Sequence, residues 1–466
     1  MCRPTRARTP GLKVASLVAG MVAGADSIDD MALLRHGGMG RVCTNVYAPS
    51  TLGSFLRAFT FGHVRQLDAV ASRFLARLAE QAPLMAGADE SSQPVMVDID
   101  DTIIEVHGYT KQGSGYGYCG VRGLNALLAV VSTKDTAPVI VAQRLRKGSC
   151  GSPRGAKRLV ADALTTIKQL PAGSNLRPLV RADSAFYGHA TVGAALRAGA
   201  DVSVTVRLDK HVKAAISTIG EDQWTTIDYT DAVYDERTSR WVSRAEIGFT
   251  AFTSRKNTEQ VPGRLVVRRI PDLNPSNKDG QKTVQETLFD TWRFHAFFTT
   301  TDRDVADTVA ADKTHRGHAI IEQVHADLKN SALAHLPSSS FAANAAWLVL
   351  AVIAFNLTRA AATITGPALA KATTSTIRRK LIAVPGADLC FGTTRDPAPT
   401  DRVALGNRLD AAARSRLRAT TDRGPPDHPP TPALPRNSGT TWQQGQASTH
   451  ARNLQIHRQQ ARAVRT

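Results

Sequence analysis

The chain has no Cys-x-x-Cys pair, and its five cysteines (Cys2, Cys43, Cys119, Cys150 and Cys390) are scattered through 466 residues. That spacing argues against a structural zinc site or a disulfide framework and fits a reducing, cytoplasmic compartment. No run reaches the roughly 18 apolar residues that a membrane-spanning helix needs. The longest candidate, Phe341 to Leu357, is interrupted by Asn344 and reads as a buried helix. Acidic side chains are scarce: 40 stand against 58 lysines and arginines, a formal net charge of +18. Such an excess favours polyanionic partners, bound in a salt-dependent way through counterion release. In residues 385–466 the shortage is sharper, with 12 Arg and 6 Asp but no Lys and no Glu. This tail reads as a basic disordered arm or as an out-of-frame replacement of a lost C-terminal region.

What is present begins with an imitation. Arg3, Arg6 and Arg8 followed by L-K-V-A-S-L-V-A-G-M-V-A-G-A-D resemble a secretory signal. Lys13 interrupts the apolar stretch, however, and S-I-D-D-M-A-L-L-R continues it as a capped helix. Residues 12 to about 83 keep helical spacing, with Arg57, Arg65, Arg73 and Arg77 available for another face. They read either as a helical DNA-binding module or as a packed helical domain.

From Val95 the pattern changes to short β-branched runs alternating with helices, the mark of an α/β sheet. P-V-M-V-D-I-D-D-T and L-V-R-A-D-S-A-F-Y each read as a buried strand delivering an aspartate, Asp100 and Asp183, at its end. Between strands lies a glycine-rich basic loop, Gly108 to Gly123, with Lys111 and Arg122. Residues 221–300 look β-rich. Beyond them, H-R-G-H-A-I-I-E-Q-V-H-A-D-L-K places Glu322 on a helix. Seven residues are nearly two full turns, so Glu322 and Lys329 share a helix face.

Carboxylates from two strands and a helix can converge on divalent cations, because Mg²⁺ takes hard oxygen ligands. Two such ions, Mg²⁺ or Mn²⁺, polarise phosphate oxygens and activate water for phosphodiester attack. Lys329 is then placed to reach a DNA phosphate, and His315, Arg316 and His318 precede Glu322 closely enough to do the same. A competing reading starts from V-D-I-D-D-T, which is similar to the first motif of haloacid-dehalogenase-like phosphatases. It makes Asp98 a nucleophile and Asp100 its acid/base partner. In a strand, Asp98 and Asp100 face one side and Asp101 the other.

Taken in order, G-A-D-S-I-D-D-M-A-L-L-R, A-P-S-T-L-G-S-F-L-R, D-I-D-D-T, G-Y-C-G-V-R-G, R-A-D-S-A-F-Y and A-A-N-A-A-W-L-V-L-A-V-I-A-F-N-L-T-R resemble bacterial DDE transposases of insertion sequences. The likeness is to the group numbered thirteen-eighty and runs from about Gly11 to about Gly386. The resemblance implies an RNase-H-like α/β catalytic core with a β-rich insertion and an N-terminal helical region. Residues 1–90 would be the helical, DNA-binding part. Residues 91–220 and 301–384 would form the core around an insertion at 221–300, and 385–466 the low-order tail.

The resemblance also implies a metal triad of Asp100, Asp183 and Glu322. Lys329, His318, Arg316, His315 and Arg122 would contact DNA, with His315 and His318 standing where relatives carry tyrosine and arginine. The implied activity is two-metal-ion strand cleavage and strand transfer on double-stranded DNA, at terminal inverted repeats and target, by a homodimer without a membrane. Both ends depart from the family pattern, so a defective DNA-binding remnant stays open as an alternative.

Overall fold

β1 (Met96–Glu105) runs antiparallel to β3 (Arg122–Ser132) over its whole length, from Met96↔Ser132 to Glu105↔Gly123. Between them the short β2 (Gly115–Tyr116) pairs with the start of β3, and β4 (Val139–Lys147) covers the other edge of β3. β5 (Leu179–Ala182) lies parallel to β1, and β6 (Asp201–Thr205) parallel to β5. The antiparallel strands β7 (Thr225–Thr226), β8 (Ser243–Ala251), β9 (Val261–Pro271) and β10 (Trp292–Thr299) extend the sheet through a β6–β10 pairing. Among the described residues the order is β2-β3-β1-β5-β6-β10-β9-β8-β7, with β4 also on β3.

This computed structural model describes residues 10–383 apart from 38, 40–42, 44–45, 87–94, 109, 134–135, 172–175, 227–242 and 272–291. The described residues belong to one compact unit, Met1–Asp388. The basic tail, the arginines before Pro10 and parts of the β-rich stretch 221–300 lie outside them.

Helices cover both faces of the sheet. The N-terminal part folds as α1 (Pro10–Ala23), a 3₁₀ turn at Asp29–Arg35, α2 (Pro49–Arg57) and α3 (Phe61–Gln81). The signal-like segment is α1, and its Leu17, Val18 and Met21 share a core with Leu124, Ala126 and Leu128 of β3. The opposite face is packed by α4 (Ala156–Ile167) and α5 (His189–Arg197), against Val97, Ile99 and Leu127. A strand buried on both faces reads as a continuous apolar run, which is what N-A-L-L-A-V-V-S in β3 shows. α6 (Lys210–Ser217) packs beside β8. α7 (Thr308–Arg316) and α8 (Ile320–Lys329) are joined by a 3₁₀ turn at Gly317–Ala319.

α9 (Phe341–Thr365) is the one helix among the described residues long and apolar enough to cross a membrane, yet it is mostly buried inside the fold. Its two asparagines explain why polar residues interrupt an apolar run. Asn344 accepts from the Ser338 amide at 3.0 Å and donates to the Ser338 carbonyl at 2.8 Å, fixing the entry to the helix. Asn356 does the same for a strand. The β3–β4 register slips between Ala129 and Val130, leaving Val141 as the extra residue of a β-bulge. Asn356 accepts from the Ile140 amide at 2.9 Å and donates to its carbonyl at 2.8 Å. Replacing Asn356 with Leu strands two buried backbone groups. We expect a loss of roughly 1–3 kcal/mol, read as a lower urea midpoint at unchanged slope.

Candidate active site

Asp100 stands in the middle of β1, not at its end. The sequence suggested an ending because the β-branched run stops there, but β1 continues to Glu105 by pairing with β3. What ends near Asp100 is the parallel partner: β5 pairs with β1 only as far as Ile99↔Ala182, and Asp183 is the next residue. Two carboxylates therefore meet where the parallel strands part, and open-sheet α/β folds place their ligands beyond such strand ends. Asp183 also caps the turn at Ser184–Phe186, accepting from the Ala185 amide at 3.0 Å. The turn-cap role and the site role are thus held by the same residue.

The electrostatics match the geometry. Burial pushes Asp100 up to about 7, the Asp183 carboxylate pushes the same way, and the Asp101 amide, donating at 2.7 Å, opposes them. Asp183 is raised chiefly by its own burial. Both acids line a cleft of about 1310 Å³ with Lys329, Arg207 and the β2–β3 turn.

The alternation of β1 sends its three acids to different tasks. Asp98 is fully buried and gripped by Arg181, with Nε to Oδ1 at 2.8 Å and Nη2 to Oδ2 at 2.7 Å. His318 adds a contact at 2.9 Å. A carboxylate so enclosed does not suit attack on a phosphoester, which removes the ground for the phosphatase reading. Asp101, on the other face, pairs with Arg146 at 2.9 Å and accepts from the Asn125 amide. Arg146 in turn donates to the carbonyls of Ser152 and Arg154 at 2.8 and 2.6 Å, holding that wall of the cleft.

The helical residues separate in the same way. His315 is a correction to the expected phosphate contact. It is stacked on Phe297 at 4.1 Å, and its ring nitrogens lie 2.8 Å from Ser203 Oγ and 3.0 Å from Thr205 Oγ1. Burial lowers it to about 3, so it is a neutral core ring. His318 turns its Nδ1 to Asp98, 2.9 Å from Oδ1. Arg316 pairs with Asp312 at 3.2 Å. Arg122 is used within the hairpin, donating to the Gly108 carbonyl and to Ser114 Oγ. Lys329 stays open to solvent while protein atoms crowd its ammonium. Burial lowers its pKa, and Asp100 is among the groups that oppose the shift.

Glu322 is exposed, on the stripe that also carries His318, His325 and Lys329 at helical spacing. His318 touches Asp98, and His325 Nδ1 lies 3.7 Å from Asp100 Oδ2. Among the described residues, no three His, Cys, Asp or Glu side chains stand close enough together to hold a metal ion. The fold brings Asp100 and Asp183 together, and places Glu322 on the facing helix without closing the set. Sequence reasoning missed His325, which is buried, lowered to about 3 chiefly by desolvation, and leaves Nε2 without a hydrogen-bond partner. Its signal was its i+3 spacing from Glu322. Arg181 was also missed, although an arginine inside the buried strand L-V-R-A demands an acid on a neighbouring strand.

A family profile described as transposase DDE domain group 1 matches residues 12–393. No curated protein matches the chain.

Proposed function

The chain belongs to the transposase DDE domain family, group 1, and from that we propose that it cuts and rejoins DNA at the ends of an insertion sequence of the group numbered thirteen-eighty. The observation that carries the reading is the meeting of Asp100 and Asp183 where β1 and β5 part. The order β4-β3-β1-β5-β6, with three antiparallel-linked strands followed by two parallel ones, supports an RNase-H-like core. β7 to β10 would then belong to the insertion at 221–300.

The donor set suits a hard divalent cation. Two part-buried carboxylates of which one raises the other gain from positive charge between them. Asp100 and Asp183 would hold Mg²⁺ or Mn²⁺, with Glu322 as third ligand from α8. Once bound, two ions supply charge for the phosphate oxygens and lower the pKa of water, so that hydrolysis proceeds at neutral pH. The chain's own residues prepare the site. Arg181 and His318 anchor Asp98 and hold β1 steady under Asp100, and Arg146 holds the neighbouring wall. Lys329, with its ammonium beside the acids, would orient the scissile phosphate. The 3′-hydroxyl released by the first cut would attack the opposite strand or target DNA at the same place. No covalent link between protein and DNA is needed.

The test is metal-dependent nicking of labelled DNA carrying the repeats that flank the gene. We expect cuts at the repeat boundary with Mg²⁺ or Mn²⁺ and none without. At limiting Mg²⁺ the rate should climb as pH rises toward 7 and flatten above it. The sign follows from the raised Asp100. Below about 7 the metal-free site holds a proton that must leave before a cation binds. Loss of that single proton corresponds to a rate change of up to about tenfold per pH unit. The same shift means that this group favours the metal-free fold fully below the ordinary aspartate pKa, and that its contribution fades as pH rises through about 7. Binding without cutting at any pH would identify a defective remnant.

A further inference from the structure

The turn between β2 and β3 presents two exposed aromatic rings. Gly117-Tyr118-Cys119-Gly120 is closed by the Gly120 amide donating to the Gly117 carbonyl at 3.0 Å, and the Gly117 amide reaches the Val121 carbonyl at 3.0 Å. Gly120, at φ +74°, supplies the left-handed conformation that the turn requires. Tyr118 takes a central position and is fully exposed, and Tyr116 on the adjoining strand is 65% exposed. A single exposed aromatic is ordinary. The place of these two is not, because both line the cleft that holds Asp100 and Asp183. Cys119, next to Tyr118, and Lys329 line the same cleft.

The arm that carries the rings is stiff. At its root three backbones pack without room for side chains. A Cβ on Gly148 would fall 2.0 Å from the Gly123 carbonyl oxygen and 2.4 Å from that of Gly115. Gly148 also donates to the Gly113 carbonyl at 2.9 Å, and Arg122 binds Ser114 Oγ at 3.0 Å. Two rings on a braced turn at the mouth of a phosphodiester-cutting cleft have an evident partner chemistry. A paired base buries its π-face in the duplex stack, whereas an unpaired base offers that face to an aromatic platform.

We propose that Tyr118, assisted by Tyr116, stacks on an unpaired nucleobase beside the phosphodiester held at Asp100 and Asp183. The preferred substrate is then a DNA end with a displaced base, not a continuous duplex. This rests on the transposase reading and names the form of DNA that the site takes.

The test uses the full chain without divalent metal and two repeat-bearing duplexes, identical except for one unpaired base at the cut boundary. Wild type should prefer the unpaired DNA by about tenfold, equivalent to about 1.4 kcal/mol. Tyr118→Phe should keep that preference, and Tyr118→Ala should lose it while binding the paired duplex as before. With 2-aminopurine as the unpaired base, fluorescence should be quenched by wild type and Tyr118→Phe but not by Tyr118→Ala. No preference in wild type, or an intact preference in Tyr118→Ala, overturns the proposal. A changed oligomeric state in Tyr118→Ala with the preference retained also overturns it, assigning the rings to contact with a second copy. Failure of wild type to nick in Mg²⁺ counts against the cutting activity instead, and is distinguishable because the stacking preference is read without metal.

Discussion

Asp100→Asn should lower metal-dependent nicking by about 10³-fold or more while leaving DNA affinity largely intact. Removing one carboxylate from a cation site forfeits several kcal/mol of transition-state charge stabilisation, and each 1.36 kcal/mol is a factor of ten in rate. The substitution keeps the shape of the side chain, and Asp100 is held by its surroundings in β1, so misfolding is not the expected route to inactivity. A second measurement separates the two. Asp100 is raised to about 7 by burial and by Asp183, so the metal-free protein at pH 8 carries an unfavourable charge there. Asn removes it, and thermal stability at that pH should stay level or rise. Glu322→Gln tests the facing helix in the same assay. It should also abolish nicking if α8 supplies the third ligand, and normal cutting by that variant would exclude Glu322 from the site. Affinity should survive in both, because phosphate neutralisation by basic residues supplies most of it.

Arg181→Met should be the most destabilising single change at the site's foundation. Arg181 donates twice to a carboxylate with no solvent exposure, and its remaining nitrogen reaches the Thr314 carbonyl at the end of α7. A Cβ on Gly317 would fall 2.6 Å from that guanidinium, so the α7–α8 junction is shaped around it. Removing one partner of a buried pair leaves an uncompensated charge, at a cost of about 3–5 kcal/mol. Urea unfolding should show the loss, and His318 alone, at 2.9 Å from Asp98, should not prevent it. The double variant Asp98→Asn/Arg181→Met carries no buried charge at that point and should recover most of the stability. Additive losses in the double variant would show that packing, not charge, is what Arg181 contributes.

The sequence was most informative where one element alone carries the signal. The β-branched runs around Asp98 and before Asp183 read as strands and are strands. Within residues 12 to 83, whose apolar spacing reads as helix, the described residues include α1 to α3 and a 3₁₀ turn. Glu322 and Lys329 read as one helix face, and α8 carries both. Strand alternation correctly divided Asp98 and Asp100 from Asp101. Asn344 appeared only as an interruption of an apolar run, because a sequence does not state which backbone groups lack partners elsewhere. His315 misled for a related reason. An HxxH pair beside an arginine looks like a basic face, but the ring meets Ser203, Thr205 and Phe297 from strands more than 15 residues away in the chain.

The sequence by itself determined the alternation of strand and helix, the basic character, and the placing of Asp100 and Asp183 on or just after short β-branched runs, because propensity and period are local properties. Only the tertiary structure decided what surrounds each acid. Asp98 became a structural anchor because β5 sets Arg181 opposite it. Asp100 became the reactive candidate because the parallel partner stops one residue earlier and opens a cleft. Charge and burial are properties of neighbours brought from far along the chain, and that is why three acids within four residues of β1 have three different surroundings.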